Sequence, residues 1–149
     1  MKSPMLTKNF TSSELACPCC NQCVVTGRLI TALQSLRDSV QRPITVSSGY
    51  RCRILNEQVG GSSQSQHLQG TAADIHIKGM SIRQMYDAAL KIPEFAQGGI
   101  GVYPKELFIH VDVRQTKKPA RWARINGKYV GIDEGLQEVT RMKENKEKS

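Results

Sequence analysis

The chain contains no apolar run approaching the roughly 18–20 residues a membrane-spanning helix needs, so no helical span is expected in its 149 residues. Its first residues, Met1-Lys2-Ser3-Pro4-Met5-Leu6-Thr7-Lys8, hold no apolar signal core, so unaided secretory export is not expected. Acidic side chains are the minority, 13 against 21 Lys and Arg, and the net charge is +8. That balance favours anionic partners, such as an acidic cell wall, nucleic acid or lipid surface. Hydrophobic residues make up 39%, which suits a soluble chain, and no internal repeat is present. Five cysteines are an odd number, and without a secretory signal a full disulfide framework is not expected.

The length suits one domain, residues 1–149, able to bury a core of its own. Residues 7–24 read as a cysteine-rich arm of short extended pieces and turns. Residues 27–41 predict a helix, with Leu29, Ile30, Leu33, Leu36 and Val40 on one face, ended by Pro43. A strand is expected over 44–47, a turn at Ser48-Gly49-Tyr50-Arg51, and a short helix from Ile54 to Val59 stopped by Gly60-Gly61. Residues 61–66 form a polar loop. Residues 72–77 alternate as a strand, placing Asp74 and His76 on one side. Ser81 caps a helix over 82–91. Strands follow over 98–103 and 107–113, with His110, Asp112 and Phe108 on one face and Ile109, Val111 and Val113 in the core. Asn126-Gly127 marks a hairpin. A last helix is expected over 135–145 within a charged tail of about 135–149, where Lys143, Lys146 and Lys148 lie. The class is α+β, a mostly antiparallel sheet flanked by helices.

Histidine is scarce, with three in the chain. His67 ends the polar loop, Asp74 lies in one strand and His110 in a neighbouring one. Two imidazoles and a carboxylate make a zinc site with one position open, which points to catalysis, because closed structural sites have four protein ligands. Zinc lowers the pKa of bound water to about 7 and polarises a carbonyl. A nearby carboxylate can take the proton and pass it to a leaving amine.

Ser65-x-His67-x-x-Gly70-x-Ala72-x-Asp74 resembles the signature of the zinc D-Ala-D-Ala carboxypeptidases and related peptidoglycan endopeptidases, which share their metal-site fold with the hedgehog signalling domain. Ser48-Gly49-Tyr50-Arg51, Asn56 and Gly60-Gly61 resemble the segment before that signature. Gly98 to Pro104 and Phe108-Ile109-His110-Val111-Asp112 resemble the closing element of a His-x-Asp subgroup, and Trp122 after a basic stretch is also similar. The resemblance runs from about residue 9 to 125. It implies a peptidase cutting the peptidoglycan stem at D-Ala-D-Ala, L-Ala-D-Glu or a cross-link, with zinc on His67, Asp74 and His110. It implies Arg51 on the substrate carboxylate or carbonyl, a task for a permanently charged fork. Ser65 is a further substrate or loop contact. The small, basic, leaderless chain also resembles a phage endolysin, made in the cytoplasm and released onto the wall by a partner. A monomer is expected.

One departure concerns the base. Many members carry an acid three residues before the last metal histidine, where this chain has Leu107. Strand alternation would turn both Glu106 and Asp112 toward His110. Asp112 is favoured as the base, Glu106 is the alternative, and a third reading makes Asp112 the support of a metal histidine. His76 reads as a satisfied neighbour. Tyr103 and Trp122 suit either a substrate groove or the core. The cluster Cys17, Cys19, Cys20 and Cys23 has several readings: a structural zinc, a redox pair or disulfide through Cys20-x-x-Cys23, or small buried hydrophobes. The structural zinc is the less favoured. Two other functions compete: a zinc-retaining binding module of the same fold without a competent base, and a nucleic-acid binder built on the cysteines and positive charge. The second leaves the His/Asp signature unexplained, and no nucleic acid is expected.

Overall fold

The computed structural model describes residues 4–148. Two short strands, β1 (Met5–Thr7) and β2 (Phe10–Thr11), pair antiparallel and lead into α1 (Ser12–Leu15). The arm expected as extended pieces and turns therefore contains a helical turn. Its signal is a capping box: the Thr11 hydroxyl accepts from Glu14 N–H while the Glu14 carboxylate accepts from Thr11 N–H. Phe10 and Leu15 anchor the arm in the core.

Helix α2 (Gly27–Val40) buries Leu29, Ile30, Ala32, Leu33 and Leu36 on one face. It stops at Gln41, whose left-handed backbone sends its N–H to Arg37 O at 3.0 Å. After β3 (Ile44–Ser48) come α3 (Arg53–Gln58), a 3-10 turn (Gln66–Gln69) and β4 (Ala72–Ile77). Helix α4 (Ile82–Leu90) starts with a second capping box, Ser81 with Gln84, and buries Ile82, Met85, Tyr86, Ala88 and Ala89. Pro93 opens α5 (Pro93–Ala96), a turn not expected from periodicity because four residues show none. Then follow β5 (Gly99–Tyr103), β6 (Phe108–Asp112), β7 (Ala120–Ile125), β8 (Lys128–Val130) and α6 (Ile132–Lys148). Asn126 and Gly127 take positive φ in the β7–β8 turn. The segment expected as a charged tail is helical as far as Lys148.

The main sheet has the order β3-β4-β6-β5-β7-β8, antiparallel except for the parallel pair β5–β7. One face packs on the helices. Ile100, Val102, Ile109 and Val111 are fully buried there, each contributing about 1.5–3 kcal/mol of burial. Alternation sends Asp74, His110 and Asp112 to the opposite face. The register sets Asp74 beside His110, and His110 beside Gly101. The α+β class with a mostly antiparallel, helix-flanked sheet is thus what the chain builds.

Candidate metal centre

His67 is presented by the 3-10 turn, and the surrounding motif is a stack of local hydrogen bonds. The Ser65 hydroxyl accepts from His67 N–H at 3.2 Å, capping the turn, and also accepts from Arg51 Nη2 at 3.3 Å. Thr71 closes the other end with its hydroxyl on Gln66 O at 3.0 Å. Gly70 ends the turn at φ 72°, where a Cβ would also strike the Val24 carbonyl. The spacing Ser-x-His-x-x-Gly is therefore cap, ligand and stop.

The ring of His67 donates Nδ1–H to Gly49 O at 2.7 Å, which leaves the Nε2 lone pair 3.3 Å from Asp74 Oδ1. His110 is turned the other way. Its Nε2–H goes to Asp112 Oδ2 at 2.7 Å, and its Nδ1 lies 3.2 Å from the same Asp74 Oδ1. One donor atom from each of His67, Asp74 and His110 lies within 4.8 Å of the others. Each imidazole is fixed from behind by an acceptor, so the remaining nitrogen of each faces Asp74. This donor set fits zinc.

Electrostatics follow from these contacts. Burial alone would push the Asp74 carboxyl up, but His110 and His67 hold it well below the usual range. Burial likewise opposes charge on His110, and the Asp112 and Asp74 carboxylates outweigh it, raising the imidazole to about 8. Without a metal, His110 thus carries a proton on Nδ1, where a cation would replace it.

Asp112 does not reach the cleft. It is fully buried, with Oδ2 shared by His110 and Arg114 Nη2 at 2.7 Å each, and Oδ1 accepting from Arg114 Nε at 2.9 Å and Arg114 N–H at 3.1 Å. Burial would raise its carboxyl, and His110 and Arg114 hold it well below the usual range instead. A base must reach the proton it takes, and the contacts of Asp112 run to His110 and Arg114 rather than into the cleft, the placement of a support for His110. Glu106, the alternative base, is also placed away from the cleft lining. It lies exposed in the turn before β6, and Leu107 takes φ 62°, which interrupts the alternation expected to turn Glu106 toward His110. His76 donates Nδ1–H to Leu107 O at 2.9 Å and lies outside the cleft lining.

The three donors open onto a cleft of about 610 Å³, lined also by Arg51, Ser65, Tyr103, Phe108, Arg114, Trp122, Arg124 and Tyr129. Asp74 is its one carboxylate among the described residues, against three arginines. Arg51 has a buried Nε with no partner. Trp122 packs tilted against the His110 ring, with centroids 4.9 Å apart, and donates Nε1–H to the Tyr103 hydroxyl at 3.1 Å. Burial pushes that Tyr103 hydroxyl up to about 12, so it stays neutral. The Arg114 guanidinium covers the outer face of Trp122, 5.4 Å from the ring centre. Sequence reasoning missed Arg114, Arg124 and Tyr129. The available signal for Arg114 was its place two residues after Asp112, where an aspartate can accept the backbone N–H of the residue two positions on. It also left β5's glycines unexplained. A Cβ on Gly99 would lie 2.3 Å from the Asp112 carboxylate, and one on Gly101 would lie 2.3 Å from the Trp122 ring. These two positions clear the sheet face for the centre.

Three protein donors facing a cleft are the arrangement of a catalytic metal centre rather than a structural one. The chain belongs to the Peptidase M15 family, whose model matches residues 8–112. It is 34% identical over 77 residues to the Peptidoglycan L,D-endopeptidase MepK of Escherichia coli (strain K12), covering 48% of this chain and 41% of that protein. It is 46% identical over 44 residues to the Zinc D-Ala-D-Ala carboxypeptidase of Streptomyces albus G, covering 29% of this chain and 17% of that one. The chain spans less than half the length of these curated relatives. No helix among the described residues is long and apolar enough to cross a membrane.

Proposed function

We propose that this chain is a zinc-dependent peptidase that hydrolyses a peptide bond of the peptidoglycan stem. The observation that carries the reading is the His67/Asp74/His110 centre opening onto a cleft with Arg51, Arg114 and Arg124 in its lining. Stem peptides carry free carboxylates, which such a cleft attracts. Both relatives named above act, by their names, on peptidoglycan or on a D-Ala-D-Ala bond.

Zinc bound by the three side chains supplies an activated water and polarises the scissile carbonyl. The chain's own residues do the rest. Arg51, held by Ser65 through Nη2, lines the cleft and offers its guanidinium to a substrate carboxylate or carbonyl. Tyr103 and Trp122 hold each other and form an aromatic wall for the peptide. Asp74 contacts both histidines through Oδ1 and so completes the donor set that would hold the zinc. The net charge of +8 favours retention at an anionic wall after release of the phage-lysis kind.

The test incubates zinc-loaded protein with D-Ala-D-Ala-terminated stems, shorter stems and cross-linked dimers, with products followed by mass. One cleaved bond, lost in His67→Ala, is expected. No product from any of them refutes the peptidase reading. One observation favours a binding module instead, the lack of a carboxylate other than Asp74 in the cleft lining. That reading requires stem binding with stoichiometric zinc and no cleavage.

A further inference from the structure

We infer that Cys17, Cys19, Cys20 and Cys52 form a second, structural zinc site that fastens the N-terminal arm to the segment carrying Arg51. The set differs from the one the sequence suggested. Cys23 leaves it, because its side chain packs partly buried against the hydrophobic core. Cys52 joins it from the N-terminal end of α3, 35 residues beyond Cys17.

The geometry is that of a thiolate cage. The sulfurs of Cys17, Cys20 and Cys52 all lie within 4.8 Å of one another. The sulfurs of Cys52 and Cys19 are 3.8 Å apart. Ligands about 2.3 Å from a tetrahedral zinc are spaced by about 3.8 Å, so three sulfurs are close to place, and the exposed Cys19, which meets the group through Cys52, turns in as the fourth. The loop is already shaped for it. Asn21, at φ 62°, donates its N–H to Cys17 O at 2.7 Å, and Cys17 N–H returns to Gln22 O at 2.8 Å. The backbone N–H of Cys52 points at the Cys17 sulfur at 3.5 Å, and those of Cys19 and Cys20 also face it. Such donors favour a thiolate over a thiol. Two separated pieces of chain brought together in this way satisfy the requirement that a local cluster of cysteines alone does not meet.

The placement gives the site a purpose. Tyr50 N–H already bonds Leu15 O at 2.8 Å, and Gly49 O is the acceptor that orients His67. Arg51 stands between those residues and Cys52. A four-sulfur zinc site would therefore hold both the His67 acceptor and the cleft arginine against the arm, with no open position for chemistry.

The experiment counts metal on the full chain purified under reducing conditions, independently of hydrolysis. Wild type is expected to hold about two zinc ions per chain, and both His67→Ala/Asp74→Ala and Cys52→Ser about one. Cobalt-loaded His67→Ala/Asp74→Ala should show sulfur-to-cobalt charge-transfer absorption, which Cys17→Ser in that background removes. A His67→Ala/Asp74→Ala protein without bound metal would overturn the site, even if Cys52→Ser fails to fold. So would a Cys19–Cys52 disulfide found by intact mass in the reduced preparation.

Discussion

His110 gives its Nε2–H to Asp112 across 2.7 Å, and this single contact decides which nitrogen of His110 faces Asp74. Arg114 closes on the same carboxylate from the other side. These contacts place Asp112 behind His110, where it would act on the metal centre through that ring. Asp112→Asn is expected to weaken zinc binding about 10–100-fold, the usual effect of losing such a support. Hydrolysis at saturating zinc should fall much less. Zinc competition against a chelator, beside kcat, reads both. Unchanged zinc affinity with kcat abolished would restore Asp112 as the base.

Glu106→Ala should leave kcat/KM near the wild-type value and stability within about 0.5 kcal/mol, as for exposed substitutions generally. The side chain is exposed and outside the cleft lining. A fall of tenfold or more on stem peptide would show that the turn before β6 delivers Glu106 to the substrate.

His110 links pH to stability in the metal-free protein. Its folded pKa of about 8 lies above the ordinary 6.5. The stabilisation from its proton is therefore complete below about pH 6.5 and lost as pH rises through about 8. The shift corresponds to roughly 2 kcal/mol. Urea midpoints of the metal-free protein should fall between about pH 6 and pH 9, while zinc affinity rises over the same interval as the proton on Nδ1 is released. A flat midpoint would mean that His110 is neutral without metal.

Gly101→Ala should move Trp122 off His110, because its Cβ would lie 2.3 Å from the indole. A loss of about 1–3 kcal/mol is expected from overpacking. Trp122 is the chain's one tryptophan, so its fluorescence reports the site directly. An unaltered emission spectrum and an unaltered melting temperature would contradict the packing role of Gly101.

Arg51→Lys should keep zinc content and lower kcat/KM by about 10–100-fold, the loss of a charged hydrogen bond of about 1.5–3 kcal/mol. Lysine keeps the charge but not the fork that Ser65 holds. A variant with wild-type kinetics would confine Arg51 to the loop.

Much of the fold was legible because it rests on short-range rules. The apolar spacing in α2, the Ser81 cap, the alternation over 72–77 and the Asn126-Gly127 turn each lie within a few residues. Short elements were not legible for the same reason: α1 and α5 have four residues each, too few for a period. Alternation also placed Asp112 on the face of His110. It carried no information on what stands between Asp112 and the cleft.

By itself, then, the sequence determined the residue types and spacings that can hold a metal: His67 in the Ser65-x-His67-x-x-Gly70 motif, and Asp74 and His110 on strands. Only the tertiary structure decided how those groups are used. Leu107's positive φ removes Glu106 from the strand's alternation. Arg114 folds back to lock Asp112 behind His110. Cys52 meets Cys17 across 35 residues of chain. Local propensity and period act over a few residues, whereas contacts between distant segments depend on how the whole sheet and its loops pack.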